Sequence, residues 1–277
     1  MTTVPSGGPS ALQSGVGPVL VAMRGRLGLV GLLFALAGVS WWWTAYQMRG
    51  MDTGPWSALG GFGWFLGVWV VMMAAMMLPS VAPTVALYSR MTRNRSALLS
   101  LMFVGGYLLT WAVAGVAAFA VGAGGSAVAG TSLEWNHAGR VLAGVTLLAA
   151  AGYQLSPLKD VCLGKCRSPL GMLLGSWRDG ELGALRMGIK NGAWCVGCCW
   201  ALMASLFALG VMSVPWMAVV AGLIAIEKTI PWGKPATYGT AIVLLALGVM
   251  FLADPSAIPG LTIPHSGGMS PMPGMGS

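Results

Sequence analysis

Five cysteines and one run of methionines are the residues of this chain whose types and spacing point to chemistry. All five cysteines fall between positions 162 and 199 of a 277-residue sequence. Cys195 and Cys198 form a C-x-x-C pair with Cys199 beside it, and Cys162 and Cys166 form C-x-x-x-C upstream. On a helix turning about 100° per residue, Asn191, Cys195, Cys198 and Cys199 share one face. A buried free cysteine ordinarily behaves as a small hydrophobe. That accounts for one or two such residues and not for five gathered into two paired spacings. An odd number of cysteines, the adjacency of Cys198 and Cys199, and a reducing compartment (assigned below from charge) all argue against structural disulfides.

The methionines are Met72, Met73, Met76 and Met77, interrupted by Ala74 and Ala75. Their four thioethers cover about 140° of a helix circumference, with the two alanines on the other side. Alone, such a stripe reads as flexible core filling. A third set lies in the C-terminal tail: His265, Met269, Met272 and Met275. Thioethers spaced by three, with a histidine upstream, suit capture of a soft ion outside the cell, because methionine forms no disulfide. A low-complexity tail that happens to contain methionine is the equal alternative.

Ligand softness orders the metals. Thiolate with thioether selects Cu(I), followed by Zn(II) and iron–sulfur. Zn(II) prefers four Cys or His ligands, and the only histidines are His137 and His265. No acidic cluster exists to hold Ca²⁺ or Mg²⁺. Glu227 and Lys228 read as neighbours that pair or snorkel, and Asp160 as a solvated loop charge. No Ser/His/Asp triad, paired carboxylates, P-loop or dinucleotide fingerprint is present. Enzymatic activity is therefore not the expectation.

The elements that must position these residues follow from composition. Charged residues are 8% and apolar residues 56% of the chain. So few charges cannot solvate a soluble surface of this size. An all-α, polytopic transmembrane helical bundle is expected. Apolar runs near 27–46, 61–79, 97–122, 138–155, 191–212, 215–230 and 236–253 predict about seven spans. The second run continues to about Tyr88, past Pro79 and Pro83, where a helix should kink or end. Ser213 and Val214 would join the fifth and sixth spans in a tight hairpin, and six spans would result if it failed to form. Thirteen Lys and Arg fall on one side of this arrangement and two, Arg49 and Arg140, on the other. By the positive-inside rule the N-terminus and every cysteine are cytoplasmic, and the Met-rich tail is outside. The net charge of +8 is thus topology, and no nucleic acid is needed to explain it. The expected organisation is a disordered tail over 1–26, the bundle over 27–253 in the lipid bilayer, and a disordered outer tail over 254–277. A bacterial cytoplasmic (inner) membrane is the expected location. Gly63 and Gly67 form a G-x-x-x-G pair that predicts close helix packing, with Gly139 and Ala143 a weaker version.

Three blocks, VMMAAMMLPSVAPTVALYSR (71–90), YQLSPLKDVCLGKCRSPL (153–170) and GIKNGAWCVGCCWALM (188–203), resemble the signature blocks of domain-of-unknown-function family 2182. The resemblance extends over roughly residues 30–253 and implies a multi-span bundle with a metal site. The positions it implies for that site are Met72, Met73, Met76, Met77, Cys162, Cys166, Cys195, Cys198 and Cys199. The recurrence of the methionine stripe beside the cysteine block raises it above packing. Copper transport, or delivery to a copper enzyme, is the function this reading favours. A thiol-redox membrane enzyme using the C-x-x-C pair is one alternative. A non-catalytic subunit or assembly factor, holding a structural metal beside a membrane partner subunit, is another.

Overall fold

The structure is a computed structural model, and it describes residues 27–47, 61–92, 97–129, 137–209, 214–229 and 233–253. Both tails, with His265, Met269, Met272 and Met275, lie outside the described residues, as does Ser213. The described residues form helices joined by short turns, with no strand. In chain order the helices are α1 (Leu27–Gln47), α2 (Phe62–Met91), α3 (Ala97–Ala129), α4 (His137–Gln154), α5 (Pro157–Arg167), α6 (Pro169–Leu174), α7 (Gly180–Leu209), α8 (Val214–Thr229) and α9 (Gly233–Ala253).

Among the described residues, four helical stretches are long and apolar enough to cross a membrane: Gly28–Gln47, Phe62–Met91, Leu98–Gly124 and Lys234–Ala253. A fifth arises if α4 and α5, bent by 67° at their junction, form one broken span. The outer faces of α1, α3 and α9 expose Val39, Val113, Val121, Ile242 and Val249. Exposed aliphatic side chains of this kind suit hydrocarbon better than water.

Helix α2 runs unbroken through Pro79 and Pro83, so of the kink or end expected at those prolines the end does not occur. Pro79 has no N–H to give the carbonyl one turn earlier, that of Ala75. The indole Nε1 of Trp41 on α1 donates to that carbonyl at 3.1 Å. Ser80 Oγ also donates to Met77 O at 2.9 Å. The Trp41 side chain thus satisfies the carbonyl that Pro79 leaves open, as helices in apolar surroundings require.

The close helix packing expected at Gly63 and Gly67 lies elsewhere. Among the described residues, nothing stands within 4 Å of a Cβ built on either glycine. A different G-x-x-x-G pair, Gly188 and Gly192 on α7, faces α3. A Cβ at Gly188 would collide with the backbone of Phe103, and one at Gly192 would stand 2.7 Å from Thr110 Oγ1. Thr110 Oγ1 donates to Ile189 O at 3.2 Å across the same seam. Small residues let two backbones meet, and the contact is closest at Gly188, about two turns before Cys195.

Between α4 and α7 the sequence predicts a loop, and the structure has helices. Ser156 caps α5, its hydroxyl accepting from Lys159 N at 3.3 Å, and Pro157 opens the helix. Helix α7 begins at Gly180, well before the expected 191. The segment 180–190 carries Glu181, Arg186 and Lys190, so it fails a hydropathy scan while remaining helical.

Candidate metal centre

Helix α7 presents Cys195, Cys198 and Cys199 to the bundle interior. Their three Sγ atoms lie within 4.8 Å of one another, and all three residues are buried. Cys198 Sγ is 3.3 Å from Cys199 Sγ and donates to Cys195 O at 3.2 Å. All five cysteines are free thiols.

Other elements bring sulfur to this trio. Cys166 on α5 places its Sγ 3.6 Å from Cys198 Sγ. Met77 on α2 places its Sδ 3.9 Å from Cys195 Sγ. The remaining predicted positions are spread around it. Met72 and Met73 pack in the bundle core, and Met76 lines an adjoining cleft. Cys162 lies against the backbone of Gly197, where a Cβ would come within 2.8 Å of its Sγ. Gly197 falls between the trio's residues and points about 160–200° away from Cys195 and Cys199 on the helix wheel. Cys162 therefore approaches α7 from another side than the trio. Tyr153 holds the same backbone, donating from its hydroxyl to Gly197 O at 2.6 Å.

Two polar side chains reach Cys195: Tyr107, which the sequence reading did not single out, and Lys228, which it read as a partner of Glu227 or an interfacial charge. Tyr107 on α3 has its hydroxyl 3.0 Å from Cys195 Sγ. The seam at Gly188 and Gly192 sets that distance, because it brings the α3 turn bearing Tyr107 against the α7 turn bearing Cys195. Lys228 on α8 has its Nζ 3.1 Å from Cys195 Sγ, 3.2 Å from Ser80 Oγ and 4.0 Å from Met77 Sδ.

Glu227 and Lys228 do not pair with each other. Glu227 accepts from Lys159 Nζ at 2.7 Å in an ion pair withdrawn from solvent on both sides. It also accepts from Gln154 Nε2 at 3.2 Å, and its backbone carbonyl accepts from Arg167 Nε at 2.7 Å. These bonds fasten α5, and with it Cys166, to α8. Adjacent helical residues point about 100° apart, which sends one side chain to the ion pair and the next to the sulfurs. Asp160, in the first turn of α5, is exposed.

A partly open cleft of about 490 Å³ leads to this cluster. Cys166 and Cys195 line it, with Tyr107, Asn191, Arg167 and Lys228. The donor set is thiol and thioether sulfur from α2, α5 and α7, with no carboxylate among its members. That chemistry fits a monovalent soft ion and does not fit a hard oxygen-seeking one.

Fold and site together define a class: a helical bundle with membrane-length apolar helices and a buried sulfur cluster of soft-metal donor chemistry. Within that class, the chain belongs to the PpoB2 family, described as copper chaperone, whose profile matches residues 66–251. The matched region runs from α2 to α9 and contains every residue of the cluster. No curated protein and no solved structure matches the chain.

Proposed function

We propose that this protein binds Cu(I) at Cys195, Cys198 and Cys199, with Cys166 and Met77 at the edge of the site, and serves copper transport or delivery to a copper enzyme. The observation that carries the reading is the convergence of sulfur from three helices on one buried point. Thiolate and thioether ligands hold Cu(I) by preference, and the family description points to the same metal. Copper here is cargo: the thiols supply affinity, and partial exposure of Cys166 supplies a place for exchange.

The reading includes a bundle of about seven spans in the bacterial cytoplasmic membrane, with the N-terminus and the cluster on the cytoplasmic side. The thirteen-to-two distribution of basic residues supports that orientation. The tails 1–26 and 254–277 flank the bundle, and His265, Met269, Met272 and Met275 gather copper outside. Met72, Met73, Met76 and Cys162 are proposed as further positions along the path to and from the cluster. The three sequence blocks around the cluster carry the proposed kinship with domain-of-unknown-function family 2182.

Copper content of anaerobically purified protein tests the proposal. The wild type is expected to retain Cu(I) after desalting, and Cys195→Ala/Cys198→Ala to lose it. Equal and negligible copper in both would remove the basis of the reading.

A further inference from the structure

The cleft over the cluster has a charge and a size that bear on how copper arrives. Its charged lining groups are Arg167 and Lys228, both positive, and no Asp or Glu lines it among the described residues. Glu227 offers no compensation there. Its carboxylate is engaged by Lys159 and Gln154, and its carbonyl by Arg167. Asp160 on α5 is exposed and does not line the cleft. A free copper cation would therefore approach the sulfurs against two like charges. The cleft volume of about 490 Å³ also far exceeds what a bare ion needs. It falls within the range of about 300–1,000 Å³ that accommodates small organic ligands.

We propose that the cleft takes copper as an anionic Cu(I)–thiolate complex of a small carrier thiol, which Arg167 and Lys228 select by charge. The proposal rests on the Cu(I) reading above and names the substrate of that site. Cys166 makes first contact, because it lines the cleft and is less deeply buried than the trio. Its sulfur lies 3.6 Å from Cys198 Sγ, which gives the ion a route inward. Transfer is ligand exchange. As each bond forms between copper and a cysteine of the protein, a bond between copper and the carrier sulfur breaks. The proton of the incoming thiol passes to the departing carrier thiolate. Copper remains monovalent, and no electron changes hands.

The test follows the rate of copper loading of the full-length apo protein in detergent micelles under anaerobic conditions. The two donors are the anionic Cu(I)–glutathione complex and the tetrakis(acetonitrile) Cu(I) cation. The readout is the ratio of their loading rates in each variant, which cancels the intrinsic lability of the donors. Thr229→Glu adds a carboxylate at an exposed position of the lining and is expected to lower the ratio about tenfold. Arg167→Gln is expected to lower it in the same direction, with Arg167→Lys restoring it. The wild-type ratio is expected to fall as ionic strength rises. A ratio unmoved by salt, by Thr229→Glu and by Arg167→Gln would overturn the charge selection while leaving copper binding intact. Failure of both donors to load the wild type would overturn the Cu(I) reading itself.

Discussion

Glu227 and Lys228 are neighbours on α8 and end in two different kinds of buried polar region. Glu227 closes a network with Lys159, Gln154 and Arg167 in which opposite charges meet at 2.7 Å. Lys228 faces Cys195, Met77 and Ser80, where no carboxylate among the described residues answers its charge. The first region is internally compensated and holds α5 against α8. The second is a cation among sulfurs beside a cleft. A satisfied buried ion pair fixes structure, whereas a soft-donor cluster without hard counter-charges is suited to an ion that comes and goes. Lys159, Glu227 and Gln154 thus build the site, and the sulfur residues beside Lys228 are the ones proposed to bind.

Removing one partner of the ion pair tests that separation most forcefully. Lys159→Met leaves Glu227 buried and uncompensated and is expected to cost about 3–5 kcal/mol of stability. Lys159→Met/Glu227→Leu, which removes both charges, is expected to recover much of that loss. Unfolding in detergent measures both. A single variant as stable as the wild type would break the assignment of this network to structure.

Gly192→Val comes next. The added side chain meets Thr110 Oγ1 and the Tyr107 carbonyl across the seam. The expected cost is about 1–3 kcal/mol from overpacking. Because the seam sets the contact between Tyr107 and Cys195, weaker copper retention should accompany it. Gly63→Ala, in open space, is expected to stay within about 0.5 kcal/mol. Equal effects at the two glycines would contradict the placement of the close packing.

Tyr107→Phe is a smaller change. It removes the hydroxyl 3.0 Å from Cys195 Sγ and nothing else from the core. The expected loss is about 0.5–1.5 kcal/mol, with Cys195 reacting at a different rate with an alkylating probe. An unchanged thiol reactivity would show that this contact does not condition the site.

Much of this was legible in the sequence, and what was not has physical causes. Apolar runs marked α1 to α4, α8, α9 and the C-terminal part of α7, because continuous hydrophobicity needs no partner to be recognised. Helix α5 escaped notice because Lys159, Asp160, Lys165 and Arg167 lower its hydropathy. Clustered cysteines indicated α7 as the carrier of a site, since their spacing repeats on one helix face. Which methionine approaches the cysteines depends on the register of α2 against α7, which no single helix encodes, and the structure brings up Met77. Lys228 looked like an interfacial charge beside an acid. Only the fold shows that Glu227 is engaged by Lys159, leaving Lys228 to the sulfurs. The pair at Gly63 and Gly67 carries the small-residue pattern without a neighbour to use it, whereas Gly188 and Gly192 have α3.

The central claim is that copper is held by the sulfur cluster of α7. X-ray absorption at the copper edge of anaerobically loaded, full-length protein tests it directly. The account predicts Cu(I) in a first coordination shell made of sulfur, with that signal lost in Cys195→Ser/Cys198→Ser. A shell dominated by nitrogen or oxygen, or one unchanged by those substitutions, would contradict it.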